Sequence, residues 1–357
     1  MQIPQLTFTR FIASISIVIL HYGLFSWPIS SDLFSPFQME LVSAMSYFFV
    51  LSGFILVISS VRNNSLPDDI NSKVFWKRRA ARILPIYLLA LVVFFCINFN
   101  YDPTIPLKWQ IQSYYHSIFL LQSWKYKMAL DVNYPSWSLS VEAFFYFIFP
   151  WLYGNVKSLS TKRLVWISII AWALNLYVFI SLKAENVPEN FIKFFPLLHV
   201  STFLIGMCSA VVYVKNRDWF HNIAKKSVFL ITSVLSIAIL YGSYKNFEIF
   251  NYQHNGLLAP WFIFIFYSLA LTKGKFAQLL SSKPLIFLGG ISYSVYILQW
   301  PVMQICQKYI PGLNEMNQSE IFYPYLLILL AVSSLTYLYI EKPARTFINK
   351  LGTKPLG

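Results

Sequence analysis

Ten apolar runs, each long enough to cross a bilayer as a helix, set the limits on what this chain can fold into. They lie near residues 6–27, 40–61, 83–100, 135–153, 164–182, 195–214, 228–244, 256–272, 285–306 and 321–340. A hydrocarbon layer of about 30 Å needs roughly 20 helical residues. A backbone in lipid must also satisfy its own hydrogen bonds, which for runs of this length means helices. The expected fold is all-α: a polytopic transmembrane bundle of about ten helices. An even number of spans places both termini on one side.

Composition leaves no soluble alternative. At 57% hydrophobic and 12% charged residues, with a mean hydropathy of +0.55, the apolar surface exceeds what one water-soluble core could hide. The 11 Trp and 23 Tyr suit the two headgroup belts, where one end of the ring is wet and the other apolar. The longest segment between runs, about 101–134, is itself aromatic-rich. Within it Lys108–Trp124 is amphipathic and bounded by Trp, the pattern of a helix lying along the interface. Residues 1–345 read as one transmembrane domain and 346–357 as a short tail. The first run has no basic residue ahead of Arg10 and ends in Trp27-Pro28 rather than in a small-residue cleavage site. It is expected to stay as the first helix.

In a soluble protein a net charge of +14 would suggest nucleic acid. Here the cations sort by side instead: 21 of the 28 Lys and Arg fall on the side of the termini, and on the other side acidic residues outnumber the 7 that remain. The bias predicts cytoplasmic termini and no nucleic-acid partner. Cys96, Cys208 and Cys306 sit inside apolar runs without any CxxC spacing and read as small core hydrophobes. His199 reads as a satisfied polar core residue. His116, His221 and His254 fall in loops without metal-ligand spacing, so no metal is expected.

Three intramembrane constellations remain. Arg10 and His21 share the first run, eleven positions apart, which in a regular α-helix places them within about 20° of one face and about 16 Å apart along the axis. Arg78, Arg79 and Arg82 open the third run in KRRAARILP at 77–85. Arg79 and Arg82, three apart, are neighbours on one helix face, and their planar forks suit a phosphate-bearing cytoplasmic ligand. An ordinary positive-inside anchor would have the same residues. Glu142 lies in an otherwise uncharged span, with Ser138 one turn before it and Tyr146 one turn after. A lone buried carboxylate is costly, so Glu142 should be protonated or paired, with the His21 imidazole or an arginine as the natural partner, unless it is a structural carboxyl satisfied by neighbouring hydroxyls.

These elements, in order, resemble the acyltransferase-3 family of integral membrane acyltransferases, which includes O-antigen and exopolysaccharide O-acetyltransferases. The resemblance spans nearly the whole chain. It rests on Arg10 and His21 as an R-x10-H element, FFVLSGFIL at 48–56, RRAARILPIY at 78–87, PSWSLSVEAFFYFIFP at 135–150, ISYSVYILQWPV at 291–302 and IEKPAR at 340–345. The family implies a ten-helix, multi-pass protein of a bacterial plasma membrane. Such a protein takes an acyl group, usually acetyl, from acetyl-CoA in the cytoplasm, a substrate rather than a resident cofactor. It delivers the group to a hydroxyl of a surface polysaccharide, such as lipopolysaccharide, or of its lipid-linked precursor. The partners implied are acyl-CoA, a glycan or lipid-linked oligosaccharide, and membrane lipids. Carried over by position, His21 would be catalytic, Arg10, Arg79 and Arg82 would engage the donor with Arg78 beside them, and Glu142 would be an essential carboxylate. Gln299 stands where many members carry His.

In that scheme His21 acts as general base, or as a transiently acylated nucleophile, and Glu142 orients and stabilises its imidazole. A transporter or flippase of a lipid-linked saccharide or small anion would use the same intramembrane charges. The chain lacks the paired Gly/Pro-interrupted spans that usually mark a transporter site. A non-catalytic scaffold would tolerate replacement of Arg10, His21 and Glu142.

Overall fold

The computed structural model describes residues 3–98, 104–223, 253–312 and 316–351, together with 232, 234–236, 238 and 239. Nine α-helices of 13 residues or more occur among them: α1 Gln5–Val18, α2 Ala44–Ser60, α3 Ser72–Ile97, α4 Trp137–Ser158, α5 Thr161–Ala184, α6 Val200–Lys215, α7 Ala259–Leu271, α8 Lys283–Tyr309 and α9 Gln318–Thr336. No β-strand occurs among the described residues. The fold is an all-α polytopic bundle, as its apolar runs predict.

Among the described residues seven segments are long and apolar enough to cross a membrane: Gln5–Gly23, Leu41–Ser60, Ser72–Ile97, Thr161–Ala184, Pro196–Lys215, Lys283–Tyr309 and Ser319–Lys350. Each matches one expected span. Of the other three, α4 has the length, at 22 residues, but Ser138, Ser140, Glu142 and Asn155 dilute its apolar character. The run at 256–272 becomes a helix only from Ala259, after a turn in which Gly256 takes a φ of 93°. At 13 residues α7 is about 20 Å long. Most of the expected span at 228–244 lies outside the described residues, which include only 232, 234–236, 238 and 239 of it. Between α3 and α4, the helix Leu107–Ile118 is about 18 Å long, too short to cross. It exposes Ile111, Tyr115 and Ile118.

The helices begin and meet where local chemistry directs. The Asn71 side chain accepts the Val74 N–H at 3.1 Å and caps α3. In α2 and α6, Gly53 and Gly206 let two backbones touch: a Cβ on Gly53 would stand 2.1 Å from the Phe203 carbonyl oxygen, and one on Gly206 2.0 Å from that of Val50. Such small-residue crossings replace the hydrophobic drive that lipid cannot supply between helices. Two internal prolines, each lacking an N–H, are answered by side chains. Pro150 frees the Tyr146 carbonyl, which takes the Trp76 indole N–H at 2.9 Å and ties α4 to α3. Pro301 frees the Ile297 carbonyl, which takes the Asn133 amide at 3.0 Å and ties the loop before α4 to α8. α5 lies at the periphery, with Trp166, Ile170, Leu174 and Tyr177 exposed.

Cys208 and Cys306 are buried, as expected of core hydrophobes. Cys96 is exposed in the last turn of α3, so its place in an apolar run reflects an outward face rather than a core position. His199 is fully buried and bonded to the Lys193 carbonyl at 2.9 Å through Nε2. Its Nδ1 has no partner, so it is only half satisfied. The chain remains helical from Lys342 to Lys350, and Lys77 of α3 bonds to the Asn349 and Leu351 carbonyls.

Candidate active site

Two cavities occupy the middle of the bundle. The first, about 150 Å3, is lined by side chains from five helices, among them Arg10 and Ser14 of α1, Ser52 of α2, Arg79 and Arg82 of α3, Ser138, Glu142 and Tyr146 of α4, and Tyr293 and Tyr296 of α8. Glu142 accepts hydrogen bonds from Ser52, at 3.3 Å, and from Tyr146. The Arg79 guanidinium lies over the rings of Phe75 and Tyr146, 5.5 and 5.8 Å from their centroids. Its Nε is buried without a hydrogen-bond partner. The ion pairs within 4.0 Å among the described residues are Lys157–Asp68 and Lys193–Glu189, so none neutralises Arg10, Arg79 or Arg82. Glu142 and Glu341 are the acidic groups close enough to act on Arg10 through space. Glu341, buried in the π-helical turn after α9, is held by Ser294 at 3.0 Å. Three cations therefore face two carboxylates without contact pairing, which leaves a cavity suited to a further anion.

Arg78 is exposed and lines neither central cavity. It is the immediate neighbour of Arg79, and the 100° step between consecutive residues carries it off the cavity face.

The second cavity, about 400 Å3, is lined by Ile17, Leu20 and His21 from the first span, Met45 of α2, Leu130, Tyr134 and Trp137 before and at the start of α4, Lys193, Phe194, His254 and Tyr296. His21 sits in a π-helical turn, Ile19–Gly23, that ends α1. The wider turn alters the phase expected for a regular helix, yet Arg10 and His21 both still point inward, one to each cavity. π-turns of this kind recur at functional positions. Gly23 completes the turn, and a Cβ there would meet the Phe322 ring at 2.8 Å.

The His21 ring is accessible, and its Nδ1 lies 2.8 Å from Gln299 Oε1. Gln299, fully buried, donates its Nε2 to the Tyr296 carbonyl at 2.7 Å. A carbonyl can only accept, so the amide nitrogen must face Tyr296 and the amide oxygen must face His21. A proton therefore resides on His21 Nδ1, and Nε2, which has no partner among the described residues, carries the free lone pair of the neutral ring. Tyr134 closes edge-on against the imidazole, at 4.9 Å and 78°.

This geometry corrects the expected pairing. Glu142 does not orient His21: its bonds go to Ser52 and Tyr146 in the other cavity, and Gln299 takes the orienting place. Ser138 and Tyr146 both line the arginine cavity with Glu142, on the helix face that their spacing predicts. Sequence reasoning missed Tyr134, Trp137, Lys193 and His254 as lining residues. The Trp137 and His254 rings stack at 5.4 Å and 27°, and burial lowers the His254 pKa to about 4. It is therefore a neutral ring at physiological pH. Only Trp137 carried a signal, as the first residue of the W-S-L-x-x-E element.

The fold and site define a multi-pass membrane protein whose interior holds an arginine-lined cavity beside one with an oriented histidine. The chain belongs to the acyltransferase-3 family, whose acyltransferase-domain model matches residues 3–340. Acyltransferase MdmB of Streptomyces mycarofaciens is 27% identical over 264 residues, 68% of this chain and 63% of that protein. A protein of Staphylococcus aureus strain COL, provisionally named an O-acetyltransferase, is 26% identical over 380 residues, 99% of this chain and 58% of its own. The O-acetyltransferase OatA of Staphylococcus aureus strain NCTC 8325 is 24% identical over 324 residues, 84% of this chain and 51% of its own. The chain thus spans about half to three fifths of the length of these relatives. No solved structure matches it.

Proposed function

We propose that this protein is an O-acetyltransferase that carries an acetyl group from cytoplasmic acetyl-CoA to a sugar hydroxyl of a surface polysaccharide, or of its lipid-linked precursor, on the outer face of a bacterial plasma membrane. The excess of basic residues on the side of Arg10 and Arg79 supports cytoplasmic termini and a donor entering at the arginine cavity. Arg10, Arg79 and Arg82 take the phosphates of coenzyme A, which supply the charge that no carboxylate there contacts. Glu142, held by Ser52 and Tyr146, fixes Tyr146 against Arg79 and limits the repulsion among the cations. Ser138 lines the arginine cavity and bonds to the Tyr296 hydroxyl at 2.7 Å.

The acceptor sugar lies in the second cavity, which Tyr134 and Trp137 line. His21 Nε2 removes the proton from its hydroxyl as the oxygen attacks the thioester carbonyl carbon. The tetrahedral adduct collapses, the carbon–sulfur bond breaks, and the imidazolium returns the proton to the departing thiolate. Gln299 keeps Nδ1 protonated throughout, as the orienting group of a triad would.

The observation that carries this reading is the hydrogen-bond chain from the Tyr296 carbonyl through Gln299 to His21, which leaves one basic nitrogen free beside an arginine-lined cavity. Its test is release of coenzyme A by the purified protein in lipid, dependent on a glycan acceptor. His21→Ala should abolish that release while the protein remains in the membrane at its normal level. Undiminished release by the variant would remove His21 from the mechanism. Passage of an unmodified saccharide without thiol release would replace the enzyme by a transporter.

A further inference from the structure

Two residues, Met45 and Tyr296, line both central cavities, and no other described residue does. Both are nearly buried, at 7% and 6% exposure. The Tyr296 hydroxyl is fully engaged. It donates to the Pro135 carbonyl at 2.5 Å and accepts from Ser138 Oγ at 2.7 Å, and it lies 3.7 Å from the Met45 sulfur. Phe48 packs against the ring, with centroids 6.2 Å apart.

We propose that Tyr296, with Met45, forms a septum between the arginine cavity and the histidine cavity, and that it positions the thioester by admitting it to His21 only when the phenol leaves its latch. The reaction half of this inference rests on the acyl-transfer reading. The septum itself rests on the shared lining and on the latch. The latch consists of neutral hydrogen bonds, each of modest net worth in a protein. Its release leaves little unsatisfied, because Ser138 Oγ already lies 3.2 Å from the Pro135 carbonyl and can donate to it once the phenol has gone. The closed state is useful for a physical reason. A continuous passage would admit water to the thioester, whose carbonyl carbon water can attack, breaking the carbon–sulfur bond to give a carboxylic acid and free thiol. A closed septum excludes that side reaction until donor and acceptor are both seated.

The test places a cysteine on either side of the septum in the full chain in intact cells and applies a charged, bilayer-impermeant thiol reagent from outside, scored over the unsubstituted chain. Val42→Cys, in the histidine cavity, should be modified readily. Leu139→Cys, in the arginine cavity, should be modified slowly, and about tenfold faster when combined with Tyr296→Ala, as the open state gains population. Tyr296→Phe keeps the ring and removes the latch, so its rate should fall between these. Equal modification of Leu139→Cys with and without Tyr296 overturns the septum, provided that Val42→Cys reacts. Failure of Val42→Cys to react overturns the proposed orientation instead.

Thioester hydrolysis without acceptor supplies the second readout. It should rise several-fold in Tyr296→Phe with the donor KM unchanged, a split that a merely structural role would not produce. Unchanged hydrolysis in Tyr296→Phe and Tyr296→Ala overturns the positioning role. If the unsubstituted protein cleaves no thioester under any condition, the acyl-transfer reading falls, and the modification rates still decide the septum.

Discussion

The two central cavities differ in how they treat polar groups. In the arginine cavity Arg79 packs over two rings, and no carboxylate among the described residues lies within 4.0 Å of the three cations. In the histidine cavity the key polar group is pinned by a hydrogen-bonded chain, and most of the lining is apolar or aromatic. One is a site with charge still to be balanced, the other a site with orientation already settled. Under the proposed reading this difference divides binding and chemistry between separate spaces, so substitutions in each should alter different kinetic constants.

The sharpest break of this comparison is His21→Ala. General base catalysis contributes about 10²–10⁴-fold, and the variant should lose that much in kcat while it binds donor as before. Radiolabelled acetyl-CoA binding to the purified variant checks the second half. A parallel loss of binding would merge the two cavities into one functional unit. Next in size, Arg79→Ala or Arg82→Ala should raise the donor KM by roughly 10- to 100-fold. This corresponds to the ~1.5–3 kcal/mol of one hydrogen bond to a charged group. Arg79→Lys should recover only part of the loss, since an ammonium cannot reproduce the planar fork. A loss confined to kcat would contradict a donor-binding role.

Gln299→Leu should be milder, about tenfold in kcat with the donor KM unchanged, since it removes the orientation of the imidazole and leaves the imidazole itself. Steady-state rates at saturating donor measure it. An unaltered kcat would mean that the Nδ1 contact is not used. Gln299→His tests the residue that many family members carry. It should retain more activity than Gln299→Leu, because a ring nitrogen can still accept from Nδ1–H.

The features read correctly from sequence are those set by periodicity and solvent. Among the described residues seven of the expected spans are long and apolar enough by length and composition alone, and Arg79 and Arg82 share a cavity because a three-residue step keeps them on one face. The features missed depend on packing between distant segments. Nothing in the spacing of His21 and Glu142 showed that Gln299, 278 positions away from His21, would take the imidazole. The π-helical turn at Ile19–Gly23 likewise has no periodic signal, since a short polar interruption at His21-Tyr22-Gly23 fits an α-helix equally well. Tyr134, Lys193 and His254 come from three separate connections that only the fold brings together, whereas the short reach of α7 follows from a turn around Gly256 that hydropathy cannot show.

The smallest predicted effect discriminates most finely between charge and geometry. Arg78 and Arg79 are adjacent and chemically identical, and a purely electrostatic account of the basic cluster would give them similar weight. In the fold Arg78 is exposed while Arg79 lines the cavity with its Nε buried and unpartnered. Screening at physiological ionic strength acts over about 8 Å and weakens an exposed cation far more than a buried one. Arg78→Ala should therefore change the donor KM by less than about twofold, against the much larger change for Arg79→Ala measured in the same membranes. Equal effects of the two substitutions would show that the cluster works as a diffuse basic surface, and the distinction between a charge-seeking cavity and an orienting one would lose its foundation.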